Sequence, residues 1–256
     1  MDACYQLESS EVSVGIGIFI TIAMFISYLP QYYKIIANDS VEGINIYTLF
    51  IGNTANYYNF LGTLTLSTWK FACCHLISSV ACGSNVMPTI QMCMPWFSIT
   101  IYIIIFLKYK FKYNTYIETQ QEKIFILLWA FIFIVPVTVA YICLISKNVK
   151  PTNDKEILGN FLNISSAVLC LIQWFPQILT TYKKKSLGSL SYITLIFQSM
   201  GSIIIFCYQT FFTTEELSVG APFLVSGLLQ LLIVSMGLYY KIKTRREYEI
   251  INDSDL

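Results

Sequence analysis

The stretch Tyr28-Leu-Pro-Gln-Tyr-Tyr-Lys34 decides the fold of this chain, because a counterpart, Trp174-Phe-Pro-Gln-Ile-Leu-Thr180, occurs in its second half. In each copy a Pro-Gln pair lies near the end of a long apolar run, and a short polar turn and a second apolar run follow. One constant offset superposes the two Pro-Gln pairs and also brings Ser40 onto Ser186. The same dipeptide at the same depth of two hydrophobic hairpins indicates an internal duplication.

The composition is that of a membrane protein. Of the 256 residues 55% are hydrophobic and only 12% are charged, whereas roughly 25% of the residues of a soluble domain are charged. Apolar runs of about 20 residues recur, and each is long enough to cross a hydrocarbon layer of about 30 Å. The net charge of +1 offers no basis for binding nucleic acid. The chain is therefore predicted to be an all-α polytopic membrane protein whose surroundings are the lipid bilayer.

Seven apolar runs, bounded by charged or polar segments, predict seven transmembrane helices. They cover residues 12–36, 44–66, 86–107, 123–145, 157–180, 190–212 and 219–241. The first three and the last three runs form the two copies. Because three crossings leave the chain on the opposite side of the membrane, a fourth helix must return it before a parallel repeat can begin. The predicted architecture is thus a 3+1+3 arrangement of parallel repeats.

The basic residues predict the orientation. With the N-terminus outside the cytosol, the cytosolic segments contain all of the sixteen Lys and Arg residues except Lys70, Lys147, Lys150 and Lys155. The run from Val12 is interpreted as a retained span rather than a cleaved signal, because no basic residues precede it. The predicted organisation is an extracytosolic N-terminus (1–11), a first three-helix repeat (12–111), a linker with the fourth helix (112–156), a second three-helix repeat (157–243) and a cytosolic tail (244–256).

The cysteines predict no metal site, because none of the eight lies in a CxxC or Cys/His spacing. Cys73, Cys74 and Cys82 cluster in a predicted lumenal loop from Ser67 to Asn85, where one disulfide is compatible with an oxidising lumen. No metal and no other cofactor is expected. The sequence also lacks HExxH and GxSxG motifs and has a single histidine, which argues against an intramembrane enzyme and leaves no candidate catalytic residues.

Polar side chains within the predicted spans are candidates for a solute pathway, because a polar group in lipid must find a partner in the protein or a cavity. In the fifth span they recur at steps of three and four, on one helix face. The candidate pathway residues are Asn53, Asn56, Asn160, Asn163, Ser166, Gln173, Gln198 and Gln230. Hydrogen bonding between packed helices is the alternative explanation. The number of polar residues in register favours a solute cavity.

The two Pro-Gln pairs are candidate hinges. Pro30 and Pro176 each lack a backbone N–H and so free a carbonyl one helical turn earlier. With Gln31 and Gln177 they form a matched pair, one in each half, which is what alternating access between two halves requires. The alternative is that each proline merely bends its helix.

The motifs Leu29-Pro-Gln31…Ser40-Val-Glu-Gly43 and Phe175-Pro-Gln177…Ser186-Leu-Gly188 resemble the two signatures of the PQ-loop repeat family. That family includes lysosomal cystine and cationic amino acid transporters, and it is related to the SWEET sugar carriers and the KDEL receptors. The chain is most similar to a fungal and protist branch whose substrates are mostly unassigned. The resemblance implies a solute carrier of the lysosome, vacuole or a related endomembrane, with a lumenal N-terminus and a cytosolic C-terminus.

One departure from the family pattern bears on coupling and substrate. Gln198 occupies the position where proton-coupled cystine transporters carry an acidic residue in the helix after the second Pro-Gln pair, and an amide cannot titrate. No Asp or Glu lies in the interior of any predicted span. Both observations favour a facilitator or a differently coupled exchanger over a proton relay. A lining of Asn, Gln, Ser and Tyr suits a neutral, hydrogen-bonding solute such as an amino acid or a sugar.

The sequence is compatible with three functions. The first is a transporter of a small polar solute, an amino acid or related metabolite, that works by alternating access of two three-helix bundles. The second is a sugar facilitator of the SWEET type, and the third is a non-transporting receptor or scaffold of the KDEL-receptor type. In the tail, Tyr248 and Ile251 form a tyrosine-plus-bulky-residue pattern that sorting adaptors could bind.

Overall fold

In the computed structural model the described part of the chain is all-helical. The helices are α1 (Glu11–Asn38), α2 (Ile46–Cys73), α3 (Ser79–Tyr113), α4 (Tyr116–Trp129), α5 (Val135–Lys147), α6 (Asn153–Lys184), α7 (Tyr192–Phe211) and α8 (Leu217–Ser254). A π-helical turn, Ala130–Ile134, joins α4 to α5 in one helical segment. The structure describes residues 4, 7, 11–39, 41, 46–113, 116–147, 152–185, 192–213 and 216–254, the last eleven as backbone only. Each of the seven predicted runs falls on one helical segment.

Four helices are long and apolar enough to cross a membrane, over Glu11–Ala37, Ser79–Lys112, Asn153–Lys183 and Leu217–Lys243. The apolar part of α7, Leu195–Phe211, is shorter. α2 differs in character, because it carries amide and hydroxyl side chains along much of its length and lies between α3 and α6. α2 can therefore carry polar side chains, because neighbouring helices enclose it.

The predicted loop from Ser67 to Asn85 is wrong in its extent. α2 continues to Cys73 and α3 already begins at Ser79, so a turn of only five residues separates them. The Oγ of Ser78 accepts a hydrogen bond from the N–H of Ala81 and so caps α3. The weak apolar character of this segment suggested a loop, but buried serines and threonines extend the helix because its neighbours enclose them.

Two disulfides mark one end of the helices, here called the disulfide end. Cys4 is bonded to Cys73, and Cys74 is bonded to Cys82. The second bond agrees with the single disulfide expected among the clustered cysteines, whereas the partner of Cys73 lies far away in sequence and was missed. The opposite end, which holds Gln31 and Thr181, is called the Pro-Gln end.

The two halves repeat one packing order. In the first half α3 packs against both α1 and α2, and in the second half α8 packs against both α6 and α7. The third helix of each half thus lies between the other two. The most extensive contact in the molecule joins the halves through α2 and α6, whereas α1 and α7 touch only slightly.

The apolar core is divided in the same way. At the Pro-Gln end one cluster belongs to the first half (Tyr32, Ile35, Ile46, Phe50, Tyr102, Ile103, Phe106) and a separate one to the second (Leu195, Ile233, Val234). Two other clusters draw on both halves: Ile20, Met24, Met92, Ile205 and Tyr208 form one, and Tyr57, Leu61 and Leu162 form the other. The halves therefore share a core toward the disulfide end and have separate cores at the Pro-Gln end.

The α4–α5 segment packs on the first half. The indole Nε1 of Trp129 donates to Oγ1 of Thr54 at 2.8 Å, and the hydroxyl of Tyr58 donates to the carbonyl of Phe133 at 3.0 Å. Phe133 lies in the π-helical turn just before Pro136, which has no N–H to continue the regular ladder. The irregular turn thus places a carbonyl where α2 can bind it.

Candidate solute pathway

α2 and α6 run antiparallel and meet along a line of small and amide residues, here called the α2–α6 seam. Its members are Gly52, Ala55, Gly62 and Leu66 on α2 and Gly159, Asn163, Ser166 and Gln173 on α6. A Cβ atom added to Gly62 would lie 2.8 Å from the carbonyl oxygen of Gly159 and would also meet the Asn163 amide. A Cβ on Gly52 would lie 2.7 Å from Nε2 of Gln173. Glycine is therefore required at Gly62, where the neighbouring atom belongs to the backbone, whereas at Gly52 the neighbour is the end of a flexible side chain.

Asn163 is the most distinctive polar residue of the seam. Its side chain is 0% exposed, and neither its Nδ2 nor its Oδ1 has a hydrogen-bond partner among the described residues. One turn further, Ser166 donates from Oγ to the carbonyl of Ala55 at 2.7 Å. On α2, Asn59 is also buried, and its Oδ1 has no partner in the described part of the chain. Unpartnered buried amides are costly, so each calls for an explanation.

The other predicted pathway residues of α2 are engaged within the first half. Asn53 donates from Nδ2 to Oγ1 of Thr100 on α3 at 2.9 Å. Asn56 donates to the carbonyl of Gly52 in its own helix at 2.7 Å. These bonds are of the kind that the packing alternative predicts, and a pathway role for Asn53 and Asn56 stays a prediction.

In the second half the predicted residues are spread along the helices. Gln230 is buried on α8; its Nε2 donates to Oγ of Ser226 at 3.1 Å, and its Oε1 has no partner among the described residues. Asn160 accepts a hydrogen bond from Ser218 near the disulfide end. Gln173 and Gln198 are half-buried. The structure thus brings Asn163, Ser166 and Gln173 together on the seam and places Asn160, Gln198 and Gln230 elsewhere.

Both Pro-Gln pairs lie inside unbroken helices. Pro30 in α1 and Pro176 in α6 are exposed, while Gln31 and Gln177 are half-buried. Gln177 donates from Nε2 to Oγ1 of Thr181 at 3.5 Å, one turn further along α6. The hinge role of the pairs stays a prediction.

The residues before the two prolines point toward the interior. Tyr28, two positions before Pro30, packs against the apolar cluster that includes Phe50 of α2 and Tyr102 of α3. Trp174, which the duplication aligns with Tyr28, donates from Nε1 to Oγ of Ser226 at 3.2 Å. Each Pro-Gln pair therefore follows an aromatic residue that contacts another helix.

The sequence reasoning missed one buried polar cluster, here called the glutamine cluster. Gln91 on α3 is 0% exposed and donates from Nε2 to the carbonyl of Gly17 on α1 at 3.2 Å. Gln209 on α7 is 1% exposed and donates from Nε2 to Oε1 of Gln91 at 2.7 Å. The cluster therefore links the two halves. An amide inside an apolar run was the available signal, because such a group must be satisfied within the protein.

A second polar contact lies beside the glutamine cluster. The hydroxyl of Tyr208 on α7 donates to the carbonyl of Ser13 on α1 at 2.8 Å. The Ser13 hydroxyl lies 3.1 Å from the hydroxyl oxygen of Tyr208. Ser13 also donates to the carbonyl of Phe212 at 3.4 Å. These bonds join the start of α1 to the end of α7, at the disulfide end.

The predicted sorting residues Tyr248 and Ile251 lie outside the residues whose side chains are described. Their backbone continues α8, which runs to Ser254. Their role as an adaptor-binding motif stays a prediction.

The fold and the apolar helices define a multi-pass membrane protein with a duplicated helical core. The sequence model of the family described as PQ loop repeat matches residues 12–71 and 158–218, that is, α1 with most of α2 and α6 with α7. The chain therefore carries two matches to the PQ loop repeat, one in each half, which confirms the resemblance seen in its motifs.

Two similar proteins extend this result. An uncharacterized protein of Schizosaccharomyces pombe is 22% identical over 94% of this chain and 85% of its own length. The structure of a eukaryotic SWEET transporter superposes with a TM-score of 0.55 at 12% sequence identity, and the match covers 90% of this chain and 95% of that chain. The fold is therefore SWEET-like.

Proposed function

We propose that this protein carries a small, neutral, hydrogen-bonding solute, an amino acid or related metabolite, across a lysosomal, vacuolar or other endomembrane. It does so by alternating access of two three-helix bundles, α1–α3 and α6–α8. The α4–α5 segment is the single crossing between them and completes a 3+1+3 arrangement of seven transmembrane helices. The proposal follows from the PQ loop repeats and the SWEET-like fold together with the way the two bundles meet.

The observation that carries the proposal is the division between the halves. They share buried residues toward the disulfide end, whereas each has its own apolar cluster at the Pro-Gln end. A carrier needs this geometry, because its two bundles must close the path at one side of the membrane while it is open at the other. The buried amide of Asn163, which has no partner among the described residues, and the unpartnered Oε1 of Gln230 supply groups that a polar solute could bind.

The charge of the interior supports a neutral solute. Asp154 and Glu156 lie in the first turn of α6, and Glu11 begins α1, so these carboxylates lie at helix ends. A cationic solute would require an acidic partner in the membrane interior, which the sequence does not supply. The amides and hydroxyls can donate and accept hydrogen bonds, as a neutral amino acid or a sugar requires.

The disulfides support the orientation and the compartment. Both lie at the end where α1 begins, and disulfides form and persist in oxidising compartments rather than in the cytosol. At the opposite end, Lys112 forms an ion pair with Asp39. This distribution supports a lumenal N-terminus and a cytosolic Pro-Gln end, the same orientation as the positive-inside rule predicts.

Two other functions are favoured by specific observations. The likeness to a eukaryotic SWEET transporter favours a sugar as the solute. The continuous α2–α6 seam favours a rigid receptor or scaffold of the KDEL-receptor type, which would bind without moving its ligand. The amides serve either solute equally well, so the experiment must compare both solute classes and must separate binding from transport.

Uptake into vesicles that contain the purified protein tests the proposal. Radiolabelled neutral amino acids and sugars are offered singly, with and without a pH gradient, and empty vesicles serve as the control. Saturable accumulation of a neutral amino acid that does not require the gradient is the expected result. Accumulation of sugars alone would assign the SWEET-type function. Binding without accumulation would assign the receptor function and contradict the carrier.

A further inference from the structure

We infer that the two contacts between the halves have different roles in transport: the α2–α6 seam keeps its backbone contact throughout the cycle and forms the fixed wall of the pathway, to which Asn163 belongs, and the α1–α7 contact, held by the glutamine cluster, is the gate that opens at the disulfide end. The inference rests on the proposed carrier function. It replaces the symmetric rocking of two bundles by an opening along one side only.

Because the two halves are repeats, the α2–α6 contact and the α1–α7 contact occupy equivalent positions. The matched repeats align α1 with α6 and α2 with α7. The contact of α2 with α6 therefore has the contact of α7 with α1 as its counterpart. In a symmetric molecule the two would be alike. Here the first is the most extensive helix contact in the protein and the second is among the slightest.

The seam is built for permanent contact. A Cβ added to Gly62 would lie 2.8 Å from the Gly159 carbonyl oxygen, and one added to Gly159 would lie 3.1 Å from the Gly62 carbonyl oxygen, so the two backbones are in close contact. Leu61 and Leu162 add an apolar cluster across the same contact. In a membrane such packing is lost on separation without compensation, because lipid does not reproduce the fit of small residues against a helix backbone. Separation of α2 from α6 is therefore costly at every depth.

The hydrogen bonds of the gate can be exchanged for hydrogen bonds to water or solute. Beside the apolar cluster around Ile20 and Ile205, the described residues of the gate form hydrogen bonds between the halves. Tyr208 on α7 donates to the Ser13 carbonyl on α1, and Gln209 on α7 donates to Gln91 on α3, which in turn donates to the Gly17 carbonyl on α1. Hydrogen bonds of this kind can be replaced by water or a polar solute when the helices part, so this part of the contact is compensated on opening. The amides of Gln91 and Gln209, buried while the gate is closed, would then line its mouth.

Paired cysteines at the same end of the molecule test the two roles against each other. A Cβ on Gly159 would meet chiefly Cγ and Cδ2 of Leu66, which Leu66→Cys removes, so Leu66→Cys with Gly159→Cys can bridge the seam. Ser13→Cys with Phe212→Cys can bridge the gate, since the Ser13 hydroxyl reaches the Phe212 carbonyl. Both pairs are made in a background in which Cys93, Cys143, Cys170 and Cys207 are replaced by alanine and the disulfide cysteines are kept.

A short thiol-specific cross-linker is applied to vesicles, and uptake is measured before and after treatment. The seam cross-link should leave uptake within about twofold of the untreated protein, whereas the gate cross-link should lower it by about tenfold or more. The cysteine-replaced background, treated in the same way, controls for effects of the reagent. Loss of uptake with the seam cross-link, or normal uptake with the gate cross-link, would overturn the inference.

A spin-label distance measurement tests the roles of the seam and the gate without requiring that the protein transports a solute. The same cysteine pairs are labelled in lipid discs, with no solute needed. A single narrow distance at the seam and two distances at the gate are expected. Two distances at both sites, or one at both, would overturn the inference. Absence of uptake by every untreated protein would contradict the proposed function alone, and these distances would still decide the roles of the seam and the gate.

Discussion

At the scale of single residues, Asn163 decides between a solute pathway and simple packing. The residue lies in the seam, fully buried, and both its amide atoms lack partners among the described side chains. A residue present only for stability would be expected to use its hydrogen-bonding groups. An amide that stays unpartnered at a structural cost is better explained by a function.

Asn163→Leu should therefore lower uptake without lowering stability. Leucine has a similar size and removes the desolvation cost of the amide, which is about 1–3 kcal/mol for an unsatisfied buried group. Uptake kinetics and thermal unfolding of the purified variant are the measurements, and Asn53→Leu, which breaks a hydrogen bond to Thr100, is the comparison. If Asn163→Leu instead reduces abundance and leaves the uptake rate per molecule unchanged, the residue serves packing.

Gly62 carries the second prediction at this scale. Gly62→Ala places a methyl group against the Gly159 carbonyl and the Asn163 amide, so the free energy of unfolding should fall by about 1–3 kcal/mol. Gly201→Ala is the matched control, because a Cβ at Gly201 meets no atom within 4 Å. Thermal unfolding in detergent compares the two variants. Equal stability of both would show that the seam is not close-packed at this point.

At the scale of elements, the Pro-Gln helices carry the hinge hypothesis. α1 and α6 continue through Pro30 and Pro176 without a break. Each proline nevertheless leaves the carbonyl four residues earlier without its usual donor, which makes the helix easier to bend at that level. The hinge hypothesis concerns this local compliance and does not require a visible interruption.

Pro176→Ala should restore the missing helical hydrogen bond, keep or raise thermal stability, and slow uptake because the helix bends less readily. Gln177→Ala should slow uptake as well. Leu179→Ala serves as control, because Leu179 is exposed on the same turn and belongs to neither Pro-Gln pair. Uptake that survives unchanged in both Pro176→Ala and Gln177→Ala, at normal abundance, is incompatible with the hinge.

The elements could largely be predicted from the sequence, because hydrophobic runs and the repeated Pro-Gln motif are local signals. The extent of α2 could not, because the Ser67 to Asn85 segment is weakly apolar and gains its helical structure from its neighbours. The stripe on α6 was found, but its placement against Gly52 and Gly62 depends on a helix far away in sequence. The link between Gln91 and Gln209 was missed for the same reason.

At the scale of the whole molecule, orientation follows from the position of the disulfides and the basic residues. A glycosylation site on an N-terminal extension should be modified in cells, and the same site on a C-terminal extension should not, because only the lumenal side meets the modifying enzyme. A mobility shift that glycosidase removes is the measurement. Modification at the C-terminus alone would reverse the proposed orientation and assign the disulfide end to the cytosol.

The two contacts between the halves, α2 with α6 and α1 with α7, are unequal. The seam holds α2 against α6, and among the described residues the opposite side is joined near the disulfide end. The duplicated sequence predicts two equivalent contacts, so this asymmetry could not be predicted from the motifs. It arises from side chains that differ between the repeats, such as Gly62 on α2 and Gln209 on α7.

The most direct test of the central claim is uptake of neutral solutes into vesicles containing the purified protein, with the Ser13–Phe212 gate either free or cross-linked. We predict saturable uptake of a neutral amino acid or related metabolite that the gate cross-link abolishes and that the same reagent leaves unchanged in the cysteine-replaced background. Solute that binds to the protein but never enters the vesicles, whether the gate is free or cross-linked, would contradict it.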